Sequence, residues 1–146
     1  MHEIKKSITI LMADDDADDR FMAKDAFKEA MLINDLRFVE DGEELMDYLN
    51  HRGKYSDPMS APKPGLILLD LNMPKKDGRE ALREIKADES LRRIPVVVLT
   101  TSETEEDIVC TYKLGANSFI TKPIAFEEFA TTMYALVNYW SEIAEL

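Results

Sequence analysis

Hydrophobic positions in this chain fall in short unbroken runs, each followed by a longer stretch where they recur every three or four residues. The first run, Ile8 to Ala13, is rich in β-formers and reads as a buried strand. Five aspartates then crowd into positions 14 to 19. Beyond them, "DRFMAKDAFKEAML" sets Phe21, Met22, Ala26, Phe27, Ala30 and Met31 at helical spacing. A second strand, "LRFVED", starts at Leu36, and "GEELMDYLNHRG" carries Leu45, Met46 and Leu49 on one helical stripe. Residues 53–65 hold three of the six prolines and read as an exposed loop. "LILLDLNMP" is a third apolar strand ending at Asp70, followed by a helix from near Asp77. "IPVVVLTT" is the fourth strand. Ser102 is the expected N-cap of the next helix, whose first turn is acidic and which stops near Gly115. "NSFITKP" is the last strand, and a terminal helix runs from about Phe126 to Ile143.

Strands and helices thus alternate five times, and the strands read as apolar runs rather than as alternating patterns. That predicts an α/β domain: a doubly wound, five-stranded parallel sheet covered on both faces. In such sheets ligands bind beyond the carboxyl ends of the strands, where the strand order reverses. The 146 residues suit one domain spanning 1–146, with no stretch left to encode an effector domain.

Composition narrows the function classes. The formal net charge of −11 argues against nucleic acid and against an anionic membrane surface, because both are bound through Lys and Arg. It suits a bound cation. A single cysteine, Cys110, rules out an intrachain disulfide and fits a cytoplasmic protein. The N-terminal apolar run is too short for a signal sequence or a membrane span. His2 and His51 match no metal-ligand pattern and read as surface residues, and Lys75 and Lys76 read as a solvated turn.

The polar residues that end the strands form one coherent set. They are Asp14 and Asp15, then Asp70, then Thr100 and Thr101, then Lys122. A parallel sheet brings these ends to one edge. Three carboxylates there repel unless a cation joins them, and Mg2+ fits, because it takes oxygen ligands and keeps waters and phosphate in its shell. A lysine and a hydroxyl complete the positioning and charge stabilisation that phosphoryl transfer needs. Asp16 is placed as a helix N-cap, with Asp18 and Asp19 as first-turn acids belonging to the helix and not to the site.

The motifs "ADDD", "LILLDLNMPKKDG", "VVVLTTS" and "FITKP", in this order across nearly the whole chain, resemble the receiver domains of two-component response regulators. The Pro-containing loop, "NMPKKDGREALREIK", "RIPVVVLTTS" and the late "NYW" are similar to the single-domain regulators that pair with phytochrome kinases. The resemblance implies a flavodoxin-like (βα)5 fold with strand order 2-1-3-4-5. It implies that Asp70 is the phosphoacceptor, charged by a sensor histidine kinase, here of phytochrome type. Asp15, Asp70 and the Asn72 backbone carbonyl would ligate Mg2+, with Asp14 acting through a water. Thr100 and Lys122 would bond the phosphoryl group, and the Lys122–Pro123 peptide is expected to be cis. Apart from accepting and slowly losing its own phosphoryl group, such a protein is not an enzyme, and its output is protein–protein contact.

Two positions depart from common receiver patterns. The switch aromatic is Phe119 rather than Tyr, so it has no hydroxyl of its own to fix an outward state. Thr101 stands where many receivers carry a smaller residue, and its bulk is expected to narrow access to Asp70. In the terminal helix Tyr134, Tyr139 and Trp140 exceed what one sheet face needs. They suggest a homodimer through the face formed by the fourth helix, fifth strand and fifth helix. Two other functions fit the sequence less well. A phosphatase of the haloacid dehalogenase type needs a second Asp where this chain has Asn72. A receiver-shaped binding module that has lost phosphorylation would not need the full set of Asp14, Asp15, Asp70, Thr100 and Lys122.

Overall fold

The computed structural model describes residues 8–101 and 104–143. Within them five parallel strands alternate with five helices. The strands are β1 (Ile10–Ala13), β2 (Leu36–Val39), β3 (Leu66–Leu69), β4 (Val96–Thr100) and β5 (Ser118–Thr121). The helices are α1 (Ala17–Glu29), α2 (Gly42–Leu49), α3 (Gly78–Ala87), α4 (Glu105–Leu114) and α5 (Phe126–Asn138). The sheet order is β2-β1-β3-β4-β5, the flavodoxin-like arrangement expected. No helix among the described residues is long and apolar enough to cross a membrane.

Because side chains alternate across a strand, each strand feeds two cores. Leu11, Ala13, Ile67, Leu69, Val96 and Val98 face α2 and α3, where Leu45, Leu82 and Ile85 complete the packing. Ile10, Met12, Leu66, Leu68, Val97 and Leu99 face the other way, against Ala23, Ala26 and Phe27 of α1 and Phe129, Met133 and Val137 of α5. Strands β1, β3 and β4 are buried along their whole length, which is why they read as continuous apolar runs. The edge strands β2 and β5 are half-buried for most of theirs.

Several local expectations shift by a few residues. Ile8 is buried but lies outside the ladder; its carbonyl accepts a bond from Asn34 Nδ2 at 2.9 Å instead. Ser102 lies outside the described residues, and the α4 N-cap is Thr104, whose hydroxyl accepts from the Asp107 N–H. Gly115 ends α4 in the left-handed conformation, at φ 108°, where glycine carries no steric cost. The terminal helix is not uniform: after Asn138 it widens into a π turn, Tyr139–Ile143. Trp140 lies edge-on to Tyr139 and packs partly against the α1–α5 core. His51 is more than a surface residue, since its Nε2 lies 3.0 Å from the Ala61 carbonyl. With the Tyr48 hydroxyl, which donates to the Pro62 carbonyl at 2.8 Å, it pins the proline-containing loop to α2. Lys76 is likewise half-buried and paired with Glu84.

Candidate functional site

The site is built on backbone bonds that carry the sheet one residue past each strand. Asp14 N–H donates to the Val39 carbonyl at 3.0 Å, and Asp70 N–H to the Ala13 carbonyl at 3.0 Å. Lys122 N–H donates to the Thr100 carbonyl at 2.8 Å. The strand-end residues are thereby held in ladder register rather than left on free loops. Gly78 makes the last approach possible. A Cβ there would sit 2.3 Å from the Asp70 carbonyl oxygen, so only glycine lets α3 begin against the Asp70 backbone.

Asp14, Asp15 and Asp70 converge, with one carboxylate oxygen of each within 4.8 Å of the others. Asp14 and Asp70 are buried and Asp15 is exposed. Lys122 Nζ stands among them, 2.7 Å from Asp14 Oδ2 and 3.0 Å from Asp70 Oδ2. A third carboxylate reaches the same nitrogen: Asp19 Oδ2, at 2.6 Å. Asp14 Oδ1 accepts the Asp16 N–H at 2.9 Å, while its Oδ2 takes the Lys122 charge without an aligned hydrogen bond. Asp70 Oδ1 accepts the Asn72 N–H at 3.2 Å, which fixes one oxygen of the Asp70 carboxylate. Arg20 donates to the Asp14 carbonyl at 2.8 Å and pairs with Glu40, closing the loop from the α1 side.

The electrostatics follow from this crowding. Burial pushes the Asp14 carboxyl up to about 6, against the bonds from Lys122 and the Asp16 N–H that favour its charge. Burial also opposes the Lys122 charge, but the bonds to Asp14 and Asp19 outweigh it and hold the ammonium above the ordinary lysine value. Three carboxylates, an oxygen left without an aligned donor and no competing soft ligand make a donor set for a hard divalent cation.

Most residues expected at the site lie at this edge of the sheet. Thr100 is fully buried at the end of β4, and Thr101 is exposed just beyond it. Phe119 is half-buried on β5 against the core. It does gain a hydroxyl from elsewhere: its N–H donates to the Tyr112 phenol oxygen of α4 at 3.1 Å. Two expectations are corrected. The Lys122–Pro123 peptide is not cis, since no cis peptide occurs among the described residues. Trans is the favoured form even before proline, and Lys122 reaches its partners in it. Asp19 does not belong to the helix alone. Asp16 caps α1 as expected, accepting from the N–H groups of Asp18 and Asp19, but the Asp19 side chain turns to Lys122. The overlooked signal is geometric. Helical side chains lean toward the N-terminus, so a first-turn acid of α1 overhangs the loop that carries Asp14.

This arrangement has known counterparts. Residues 10–134 match the model of the response regulator receiver domain. The chain is similar to the response regulator Rcp1 of Synechocystis, at 39% identity over 94% of this chain and 91% of that protein. It superposes on the Mn2+-bound form of Rcp1 with a TM-score of 0.85, at 38% identity over 95% of this chain and 98% of that one. It superposes on the phosphorylated cyanobacterial phytochrome response regulator RcpA with a TM-score of 0.88, at 40% identity over 97% and 99%. With its strand order, its acidic cluster and its strand-end lysine, the chain belongs to the family of response regulator receiver domains.

Proposed function

We propose that Asp70 accepts a phosphoryl group from the phosphohistidine of a sensor histidine kinase. The phosphorus–nitrogen bond breaks as a phosphorus–oxygen bond forms to the Asp70 carboxylate. The observation that carries this reading is the convergence of Asp14, Asp15, Asp70 and Lys122, with Lys122 Nζ 3.0 Å from the acceptor carboxylate. Asp15, Asp70 and the Asn72 carbonyl would hold Mg2+, with Asp14 contributing through a water, and the ion would supply charge neutralisation at the phosphoryl oxygens.

The chain's own residues do the rest. Asn72 N–H fixes one Asp70 oxygen and so orients the carboxylate. Lys122 exchanges its bond to Asp70 for one to a phosphoryl oxygen, where its charge stabilises transfer. Thr100, buried at the same edge, donates its hydroxyl to the phosphoryl group and moves toward it. Phe119 then turns inward, and the Tyr112 bond to its backbone ties that rotation to α4. The protein slowly hydrolyses its own phosphoryl group and otherwise acts through protein contacts, as a receiver domain in the cytoplasm. Its likeness to RcpA supports a phytochrome-type kinase as partner.

Two refinements belong to this reading. The Thr101 side chain, exposed directly after buried Thr100, narrows the approach to Asp70 for small phosphodonors. The α4–β5–α5 face forms a homodimer. Tyr112 of α4 and Phe126 at the start of α5 are exposed, as are Tyr134 and Tyr139 farther along the terminal helix, and exposed aromatics of this kind favour an interface.

Acetyl phosphate with Mg2+ should add one phosphate to the wild type by intact mass, and none to Asp70→Asn or to wild type in EDTA. Unmodified wild type, or modification that survives Asp70→Asn, would refute the assignment. Thr101→Ala should react with acetyl phosphate several-fold faster, and an unchanged rate removes the access argument. Light scattering should give twice the chain mass at micromolar concentration, whereas a monomer with and without phosphate contradicts the dimer.

A further inference from the structure

Lys122 is tied to more carboxylates than its proposed task requires. Its ammonium donates hydrogen bonds to Asp19 at 2.6 Å and to Asp70 at 3.0 Å, and it forms an ion pair with Asp14 at 2.7 Å. Two of these partners, Asp14 and Asp70, also belong to the carboxylate cluster that suits a divalent cation. The lysine therefore occupies the negative charge the cation needs. A divalent ion beside an ammonium that holds two carboxylates of the same cluster meets strong repulsion in a buried setting. Binding the ion requires the lysine to give ground.

Asp19 is where it can go. Its carboxylate makes the shortest of the three contacts, and it is the one partner outside the cluster. It lies on the first turn of α1 and its side chain is 24% exposed, at the solvent side of the cluster. The helix does not need it as a cap, since Asp16 accepts the first-turn N–H groups, including that of Asp19 itself. Its side chain is thus free of the capping role and bonds to Lys122.

We propose that Asp19 is a positioning residue: a second seat that draws the Lys122 ammonium away from Asp14 and Asp70 and so opens the carboxylate cluster to a divalent cation. The proposal rests on the reading of that cluster as a Mg2+ site. Without Asp19, the lysine settles on Asp14 and Asp70 and competes harder with the ion. With Asp19, the ammonium keeps one full-strength partner at the mouth of the site, from which it can still reach a phosphoryl oxygen on Asp70.

Calorimetric titration of the full chain with Mg2+ alone tests this, using wild type, Asp19→Asn, Lys122→Met and the double variant. Asp19→Asn keeps the size of the side chain and removes its charge. It should weaken Mg2+ binding about fivefold or more, and by less than about twofold when Lys122 is already methionine. Asp19→Glu, which keeps the charge, should restore most of the affinity. An unchanged affinity in Asp19→Asn, with wild type binding Mg2+ normally, overturns the proposal and leaves the metal site standing. An equal loss in both backgrounds also overturns it, because Asp19 would then act only as distant negative charge. If wild type binds no Mg2+, the metal site and this proposal fall together.

Discussion

The ammonium of Lys122 among three carboxylates is the contact on which the rest of the site depends. Asp14 and Asp70 are buried at the carboxyl edge of the sheet, where an unpaired charge is costly. Burial pushes the Asp14 carboxyl up to about 6 even with the Lys122 charge and the Asp16 N–H beside it. With Lys122 at 2.7 Å the carboxylate is tolerated, and with Asp19 and Asp70 bonded as well the lysine is itself held charged. Such buried pairs do little for net stability, but removing one partner leaves a stranded charge. The site is therefore balanced rather than rigid: one cation is in place, and the surplus of negative charge remains available to another.

The fold supplies this balance through the ladder itself. The N–H groups of Asp14, Asp70 and Lys122 each bond to a carbonyl on the neighbouring strand. Residues separated by more than a hundred positions are thus fixed relative to one another by sheet geometry, not by loop conformation. Gly78 brings the start of α3 against Asp70 from below. On the far side, Tyr112 links α4 to the backbone of Phe119 on β5. A charge change in a packed site is read elsewhere only as a shift in shape, and a bond between these two elements would help carry one.

Much of this was legible in the chain. Central strands betray themselves as unbroken apolar runs because both of their faces are covered, and polar residues that end such runs in a parallel sheet must meet. Asp14, Asp15, Asp70 and Lys122 were found on that argument alone. What escaped depends on side-chain direction rather than on spacing. Asp19 reads as a first-turn acid, and only the backward lean of helical side chains shows that it overhangs Asp14. Tyr112 reads as one aromatic on a mixed helix, and its bond to a strand N–H has no periodic signature. Before Pro123, the general preference for a trans peptide prevailed over the geometry that resemblance implied. At the end of α5, a π turn replaces the last regular turns, and nothing in the spacing of Tyr139 and Trp140 distinguishes it from continued helix.

On the proposed reading Lys122 and a divalent cation draw on one pool of negative charge. Thermal unfolding of wild type and Lys122→Met, each in EDTA and in saturating Mg2+, measures that sharing. Lys122→Met should unfold at lower temperature than wild type in EDTA, and Mg2+ should raise its Tm by more than it raises that of wild type. Equal stability in EDTA together with an equal response to Mg2+ would show that the two cations do not compete.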